Sequence, residues 1–180
     1  MSTDLKNIIQ SCLRGDRLAQ KELFQLYNST LYKSACTYLN NSEQAKGLVQ
    51  ETWIDIFKGL KGYDENKSQL STWMKTILIR KAWRANSLKM VTTELQHSHR
   101  IYNHQEQIID KMSCEEILNE MDKIPAASRM VFKLFVLDEY KHNEIAELLD
   151  ITASTSRVHL AKARDILRER YVQLNQALQK

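Results

Sequence analysis

Residues 141–167 read KHNEIAELLDITASTSRVHLAKARDIL and indicate the fold more strongly than any other stretch of the chain. Two amphipathic segments lie on either side of a short polar break at residues 150–152. The first segment places Ile145, Leu148 and Leu149 on one face. The second segment has a matching inward row: Ser156, Leu160, Ala163 and Leu167. This spacing predicts a helix-turn-helix in which Thr152 caps the second helix.

The outward face of the second predicted helix carries side chains suited to duplex DNA. Arg157 lies near the start of that helix, where an arginine can donate two hydrogen bonds to guanine. Val158 and Ala161 suit contact with a thymine methyl group, whereas longer basic side chains hold phosphates. The predicted DNA contacts of this helix and its cap are Thr152, Thr155, Arg157, Val158, Ala161, Lys162, Arg164 and Arg168. The residues alone leave an ordinary helical hairpin open as the alternative.

The composition of the 180 residues favours helices, with 43% hydrophobic and 27% charged residues. Glycine and proline together supply only five residues, which argues against tightly turned β folds and glycine-rich nucleotide sites. The longest uncharged run, Leu23 to Tyr32, has ten residues and is too short for a membrane span. Three widely spaced cysteines, Cys12, Cys36 and Cys114, indicate neither disulfides nor a zinc site. We therefore expect a cytoplasmic protein with no leader segment and no membrane contact.

Capping residues and polar stretches divide the chain into helices and domains. Gly15 is expected to close a first helix, and Asp16 to cap the second. Ser42 is the expected cap of a helix that runs to residue 60. Ser71 is the expected cap of another helix, which runs to about residue 86. The polar residues 89–107 indicate a linker. The prediction is an all-α chain with a four-helix domain at 1–90, a linker at 91–107 and a helix-turn-helix domain at 108–180.

The start of the second domain is expected to be helical as well. A helix is predicted around residues 108–122, before Pro125, the only proline of the chain. Apolar spacing through Met130, Leu134 and Leu137 predicts another helix directly before the helix-turn-helix.

Charge is segregated along the chain, although the net charge is only +4. Residues 75–100 hold six basic residues against one acid, residues 101–139 four against eight, and residues 153–170 five against two. Two separated basic stretches suggest two contacts with a polyanion, because neutralised phosphates release counterions. Two solvated faces remain the alternative interpretation.

The helix predicted from Ala45 presents two different faces. Its inward residues are Ala45, Val49, Trp53, Ile56 and Leu60. An amide, a carboxylate and two apolar groups lie on or beside the other face: Gln50, Glu51, Ile54 and Phe57. Exposed apolar groups beside polar ones suit a protein interface, and an irregular core face is the alternative.

The helix predicted from Ser71 combines basic and aromatic residues. Its inward residues are expected to be Trp73, Met74, Ile77, Leu78 and Leu88, and its outward residues Lys75, Thr76, Ile79, Arg80 and Trp83. A cationic face can hold the phosphates of a single strand while a tryptophan stacks on an unpaired base. Packing of Trp83 inside the protein is the alternative.

Five segments of the chain, in order, resemble bacterial sigma factors of the extracytoplasmic-function group of the sigma-70 family. They are RGDRLAQKELFQLY at 14–27, GLVQETWIDIF at 47–57, STWMKTIL at 71–78, IPAASRMVFKLF at 124–135 and the helix-turn-helix. The resemblance implies a region 2-like domain and a region 4-like domain. It also implies docking on the clamp helices and flap of core RNA polymerase and binding of promoter DNA, with no catalysis and no cofactor.

The resemblance also assigns residues to promoter elements. Gln50, Glu51, Ile54 and Phe57 match the stretch that docks on the clamp helices. The loop at residues 63–69 and the helix after it match the part that holds an unpaired minus-ten base. The expected minus-ten contacts are Asn66, Lys67, Ser68, Gln69, Lys75, Thr76, Arg80, Trp83 and Arg84. The helix-turn-helix corresponds to the minus-thirty-five reader.

Several residues depart from the family pattern. Lys46 and Gly47 stand where an acidic pair is common, and Arg80 and Arg84 replace Asn and Asp. Asp150 replaces the turn glycine, and positions 156 and 158 exchange the usual order of apolar and polar residues. We therefore expect an atypical promoter and help from another DNA-bound factor, and an anti-sigma protein is a further candidate partner.

The residues alone leave two other functions open. One is a dimeric helix-turn-helix regulator that binds a palindromic site without polymerase. The other is a helical adaptor without nucleic acid. An enzyme is not expected, because the sequence contains no nucleophile motif and His97, His99 and His104 lie in the polar linker without a cluster of metal ligands.

Overall fold

The computed structural model describes residues 3–39, 41–90 and 120–178, and these residues are helical or lie in short turns. The prediction of an all-α chain is confirmed. The helices are α1 (Thr3–Leu13), α2 (Arg17–Tyr38), α3 (Ser42–Gly59), α4 (Leu70–Met90), α5 (Ala126–Val136), α6 (His142–Leu149) and α7 (Ala153–Leu178), with short 3-10 helices at Leu60–Gly62 and Met121–Lys123. The chain divides into two compact units, Met1–Ala82 and Trp83–Lys180. The predicted linker at 91–107 and the helix predicted to start near residue 108 fall outside the described residues, except for the last residues of that helix.

The junction of α1 and α2 forms as the sequence predicts. Gly15 has a φ of +86°, a conformation that glycine adopts without steric cost. The Asp16 carboxylate then accepts hydrogen bonds from the Leu18 and Ala19 N–H groups at 2.8 and 3.3 Å. These bonds satisfy backbone donors that the first turn of α2 would otherwise leave unpaired.

The N-terminal cap of α3 is Asn41, so the prediction that Ser42 caps this helix is wrong. The Asn41 Oδ1 atom accepts hydrogen bonds from the N–H groups of Glu43 and Gln44, at 2.8 and 3.1 Å. Asparagine and serine cap helices about equally well, so the residue types did not decide between neighbours. The inward face of the helix is confirmed, because its predicted members are all buried: Ala45, Val49, Trp53, Ile56 and Leu60.

Helix α4 begins at Leu70, one residue before the predicted start, and continues to Met90. Met74 and Leu78 are buried as predicted. Ile79 was expected to face outward, but its side chain is fully buried. The helix is therefore covered over a wider arc than a single apolar stripe, which the sequence pattern does not show.

The second unit packs α5 and α6 against α7. Pro125 precedes α5, where its missing N–H costs no hydrogen bond. Met130 and Leu134 are buried as predicted, but Leu137 is 55% exposed because α5 ends at Val136 and the chain turns there. Lys133 is buried in this unit. Burial, and to a smaller extent the charge of Arg129, lowers the pKa of Lys133 to about 8, although the charge of Asp122 acts in the opposite direction.

Candidate nucleic-acid interface

The helix-turn-helix forms from α6, a short turn and α7. Asp150 ends α6 in the left-handed conformation, with a φ of 57°, and its N–H donates to the Ala146 carbonyl. Aspartate tolerates this conformation better than most residues, so it can replace a turn glycine. The Thr152 hydroxyl accepts the Thr155 N–H at 3.0 Å, which confirms the predicted cap of α7. The two threonine hydroxyls are also 2.8 Å apart and share a hydrogen bond.

The two faces of this motif lie as the sequence predicts. The inward residues are buried: Ile145, Leu148, Leu149, Ser156, Leu160, Ala163 and Leu167. On the other side Arg157 is exposed and Val158 is 47% exposed. Ala161 and Lys162 are half-buried. The first turns of α7 therefore present an arginine and an apolar side chain next to each other.

Two arginines farther along α7 make contacts within the protein. The Arg164 guanidinium carbon lies 5.9 Å from the centre of the Phe135 ring. An Arg168 Nη1–H donates to Asp165 Oδ1 at 2.8 Å. Burial raises the pKa of Asp165, and Arg168 partly opposes that effect. The predicted phosphate contact of Arg168 would have to compete with this ion pair.

Two histidine–serine hydrogen bonds hold α7 in place, and neither was predicted from the sequence. His142 Nδ1 lies 2.9 Å from Ser156 Oγ, and His159 Nδ1 lies 3.2 Å from Ser128 Oγ. Both serines are fully buried. A serine in an otherwise apolar inward row needs a hydrogen-bond partner, so Ser156 was the signal that could have indicated one.

The predicted minus-ten residues of α4 fall on more than one side of the helix. Arg80 and Arg84 are exposed. The Thr76 hydroxyl donates to the Thr72 carbonyl of its own helix at 3.0 Å. Lys75 lines a cavity of about 110 Å³ between α2 and α4, whose walls are Tyr27, Thr30, Leu31, Ser34, Ser71, Thr72, Met74 and Lys75.

The loop before α4 is held by its own side chains. The Asp64 carboxylate accepts the backbone and side-chain N–H groups of Asn66, both at 3.0 Å. The Tyr63 hydroxyl donates to the Ser68 carbonyl at 3.0 Å, and the Tyr63 ring lies 5.3 Å from that of Trp73. Asn66, Lys67 and Gln69 are exposed and Ser68 is half-buried. The loop therefore offers polar side chains on an ordered backbone.

Trp83 is half-buried, in the second unit. Its ring meets the His159 ring edge-on, with centroids 6.0 Å apart. One turn later, Asn86 is buried and its Nδ2 atom lies 4.0 Å from the sulfur of Met130. These contacts support the packing interpretation of Trp83, and stacking on a base stays a prediction.

The outer face of α3 combines polar and apolar side chains. Gln50 and Glu51 are exposed, and Ile54 is 54% exposed. Phe57 is half-buried and stacks on Trp53, with ring centroids 5.3 Å apart. This is the arrangement that the helical wheel predicts for a protein interface.

The structure adds Phe24 of α2 to this surface. The Phe24 ring is 41% exposed and lies 5.1 Å from the Trp53 ring. Phe24, Trp53 and Phe57 thus form an aromatic row across two helices, and the Trp53 Nε1–H is fixed by the Asn28 side chain at 3.1 Å. Phe24 was not predicted as part of this surface, because only the tertiary fold places it beside Trp53.

Lys81 connects this surface to α4. Its ammonium group lies 2.9 Å from the Asp55 carboxylate and 3.4 Å from that of Glu51. Partial burial lowers the pKa of Lys81, but the hydrogen bonds and charges of Asp55 and Glu51 outweigh that effect and raise it. The ion pair with Lys81 therefore orients Glu51, and exposure to water weakens this ion pair.

The described residues offer neither a membrane span nor a metal site. None of the helices in residues 3–39, 41–90 and 120–178 is long and apolar enough to cross a membrane. Over the same residues, no group of three or more histidine, cysteine or acidic side chains is placed to hold a metal ion. The linker histidines fall outside the described residues.

An all-helical fold with a helix-turn-helix, and with the exposed Arg157 near the start of its second helix, is typical of DNA-binding proteins. Comparison with known proteins gives the family. Residues 23–87 match the family model of sigma-70 region 2, and residues 114–167 match that of sigma-70 region 4. The chain belongs to the sigma-70 family, in its extracytoplasmic-function (ECF) group. It is therefore a transcription initiation factor and not an enzyme, and its partners are core RNA polymerase and promoter DNA.

Two relatives from Bacillus subtilis (strain 168) are similar over most of the chain. The ECF RNA polymerase sigma factor SigW is 22% identical over 183 residues, which cover 94% of this chain and 97% of the relative. The RNA polymerase sigma factor YlaC is 24% identical over 151 residues, which cover 80% and 87%. The order and extent of the match confirm the family resemblance of the sequence.

Proposed function

We propose that this sigma factor docks on the clamp helices of core RNA polymerase through the outer face of α3. The observation that carries the proposal is the exposed Ile54, with Gln50 and Glu51 beside it and the aromatic row next to it. An isoleucine that gains full burial contributes roughly 1.5–3 kcal/mol. Ile54 is already about half covered in the isolated chain, so a partner that covers the face would gain roughly half of this contribution.

The DNA contacts that we propose lie on two other surfaces. Arg80, Arg84 and the loop at 63–69 suit the strand of the minus-ten element, because exposed arginines bind phosphates whatever the base sequence. The start of α7, with Arg157 and Val158, suits the major groove of the minus-thirty-five element. Contact of the second domain with the polymerase flap rests on the family resemblance alone.

We further propose that promoter reading is atypical. Arg80 and Arg84 favour phosphate contact over base selection. Val158 puts an apolar group on the reading face of α7, while the Ser156 hydroxyl is engaged with His142 in the interior. At the start of α3, Lys46 pairs with Glu43 at 2.7 Å, so a basic group occupies a position where the family commonly has an acid. A second DNA-bound factor would compensate for weaker docking and selectivity, and an anti-sigma protein would suit the same exposed α3 face.

The test combines polymerase capture with transcription. Immobilised chain is incubated with core RNA polymerase, and the complex is then supplied with a fragmented genomic library. We expect retention of polymerase and transcripts from a small subset of fragments. A chain that retains polymerase but yields no transcripts above core enzyme alone would contradict promoter direction by this protein.

Selection of bound sequences from random DNA tests the atypical reading. The reconstituted complex is expected to enrich one weak block or a broad family of sequences. A sharp consensus of two blocks, obtained without any further protein, would contradict the proposal.

A further inference from the structure

His142 stands at the start of α6 in a cluster with two elements of the second unit. Its ring stacks on the Phe135 ring of α5, with centroids 4.7 Å apart. Its Nδ1 atom lies 2.9 Å from Ser156 Oγ of α7. The Arg164 guanidinium carbon lies 5.9 Å from the same Phe135 ring. The Phe135 ring therefore contacts both the imidazole of α6 and a guanidinium of α7.

The electrostatic surroundings of His142 are basic. Arg157 directly follows Ser156 in the chain, and both Arg157 and Arg164 act on the imidazole as positive charges. On the segment of His142 itself, the Glu144 carboxylate accepts the Lys141 N–H at 2.7 Å. On the side of α5, the imidazole contacts the uncharged ring of Phe135. Such a site suits an anion that can approach from solvent.

We propose that His142 binds one backbone phosphate of duplex DNA, and that it takes up a proton from solvent as the phosphate binds. The proposal rests on the proposed function, because it adds a residue and a proton linkage to the DNA surface of the helix-turn-helix. The first helix of such a motif crosses the DNA backbone, so a phosphate near the start of α6 agrees with the docking geometry. The protonated imidazole donates from both nitrogens, to Ser156 Oγ and to the phosphate.

The proton linkage follows from the charges around the imidazole. Burial first, and then the charges of Arg157 and Arg164, lower the pKa of His142 below its ordinary value, so the free protein holds a neutral imidazole at neutral pH. A phosphate beside the imidazole favours the charged form and raises the pKa. DNA binding therefore strengthens as the pH falls.

The experiment measures the affinity of the full chain for a random-sequence duplex at pH 8 and pH 6, at constant low ionic strength. A random sequence is sufficient, because phosphate contacts do not depend on the bases. We expect the wild-type affinity to rise by about threefold to tenfold, since one unit of pKa difference corresponds to a tenfold change. His142→Gln, which does not titrate, is expected to lower that ratio clearly. Any pH effect left in the variant comes from other groups such as Lys133, whose pKa is about 8. His159→Gln is the matched control and should keep the wild-type ratio.

An NMR titration gives a second readout that does not depend on a variant. The pKa of His142 should be higher in the DNA complex than in the free chain. An unchanged pKa, or the same pH ratio in H142Q as in the wild type, overturns the inference, as does a wild type that fails to bind the duplex. The proposed function is tested separately by polymerase capture and transcription, so a chain that passes those tests and fails here refutes the inference alone.

Discussion

Lys133 shows how one buried charge affects the stability of the second unit. Its pKa is lowered to about 8, so the unfolded chain binds this proton more readily than the folded chain does. Lys133 therefore disfavours folding below about pH 8, and its contribution improves as the pH rises from there towards the ordinary lysine pKa. We expect Lys133→Met to raise the free energy of unfolding at pH 7 by roughly 1–3 kcal/mol.

Chemical denaturation at pH 7 and near pH 10 tests this expectation. The difference between K133M and the wild type should be smaller at the higher pH, where the wild-type lysine has lost its proton. Lys58→Met, at an exposed position of α3, is the control and should change stability little at either pH. A K133M variant that is less stable than the wild type at pH 7 would contradict the explanation.

Phe24 offers a test of the aromatic row without a change of charge. Its ring lies beside Trp53 and is 41% exposed, so a partner on the α3 face would cover it. We expect Phe24→Ala to weaken capture of core RNA polymerase by about tenfold, as for a moderately important interface residue. Leu26→Ala, an exposed position on the same helix, is the matched control for binding titrations. An equal loss of polymerase affinity in both variants would indicate that Phe24 does not lie in the interface.

The caps of the helices give a prediction that separates two neighbouring residues. Asn41, and not Ser42, accepts the N–H groups at the start of α3. Asn41→Ala is expected to lower the free energy of unfolding by about 1 kcal/mol. Ser42→Ala should leave it within about 0.5 kcal/mol of the wild type, as for most surface changes. Thermal or urea unfolding of both variants decides the matter, and a larger loss for Ser42→Ala would contradict the observed cap.

Helices could be predicted from the sequence where one apolar stripe faces one core. In the helix-turn-helix, every predicted inward residue is buried, because α6 and α7 each bury a single face. In α4 the same reasoning placed Ile79 outside, and the structure buries it. Leu137 follows the helical spacing but lies past the end of α5. Periodicity reports the face of a helix, and it reports neither the width of the covered arc nor the residue at which the helix stops.

The fold class and the family of the whole chain could be predicted from the sequence. Five segments resemble one family, and they occur in the same order although the relatives are only 22% and 24% identical. The candidate surfaces were predictable as exposed faces, such as Ile54 on α3 and Arg157 on α7. What the sequence could not supply were particular side-chain contacts between one helix and the next. Phe24 on Trp53 and His142 on Ser156 join residues of successive helices, and only the tertiary fold brings them together.

The surfaces for DNA and for polymerase should be separable by mutation. Arg157 lies in the second unit, so its removal takes away only the proposed DNA contact and leaves α3 unaltered. We expect Arg157→Ala to weaken duplex binding by about 1–3 kcal/mol and to leave polymerase capture intact. Arg170→Ala is the control in the same binding assay, because Arg170 lies farther along α7 and contacts Gln173 and Glu120 of its own unit. Equal effects of R157A on duplex binding and polymerase capture would argue against separate surfaces.

Capture of core RNA polymerase at low ionic strength, by the wild type and by a Gln50→Ala and Ile54→Asp double variant, tests the account most directly. The double variant places a charge in the apolar part of the α3 face and removes the amide beside it. We predict that the wild type retains core polymerase and that the double variant does not, while its duplex binding is unchanged. Failure of the wild type to retain core polymerase, or full retention by the double variant, would contradict the account.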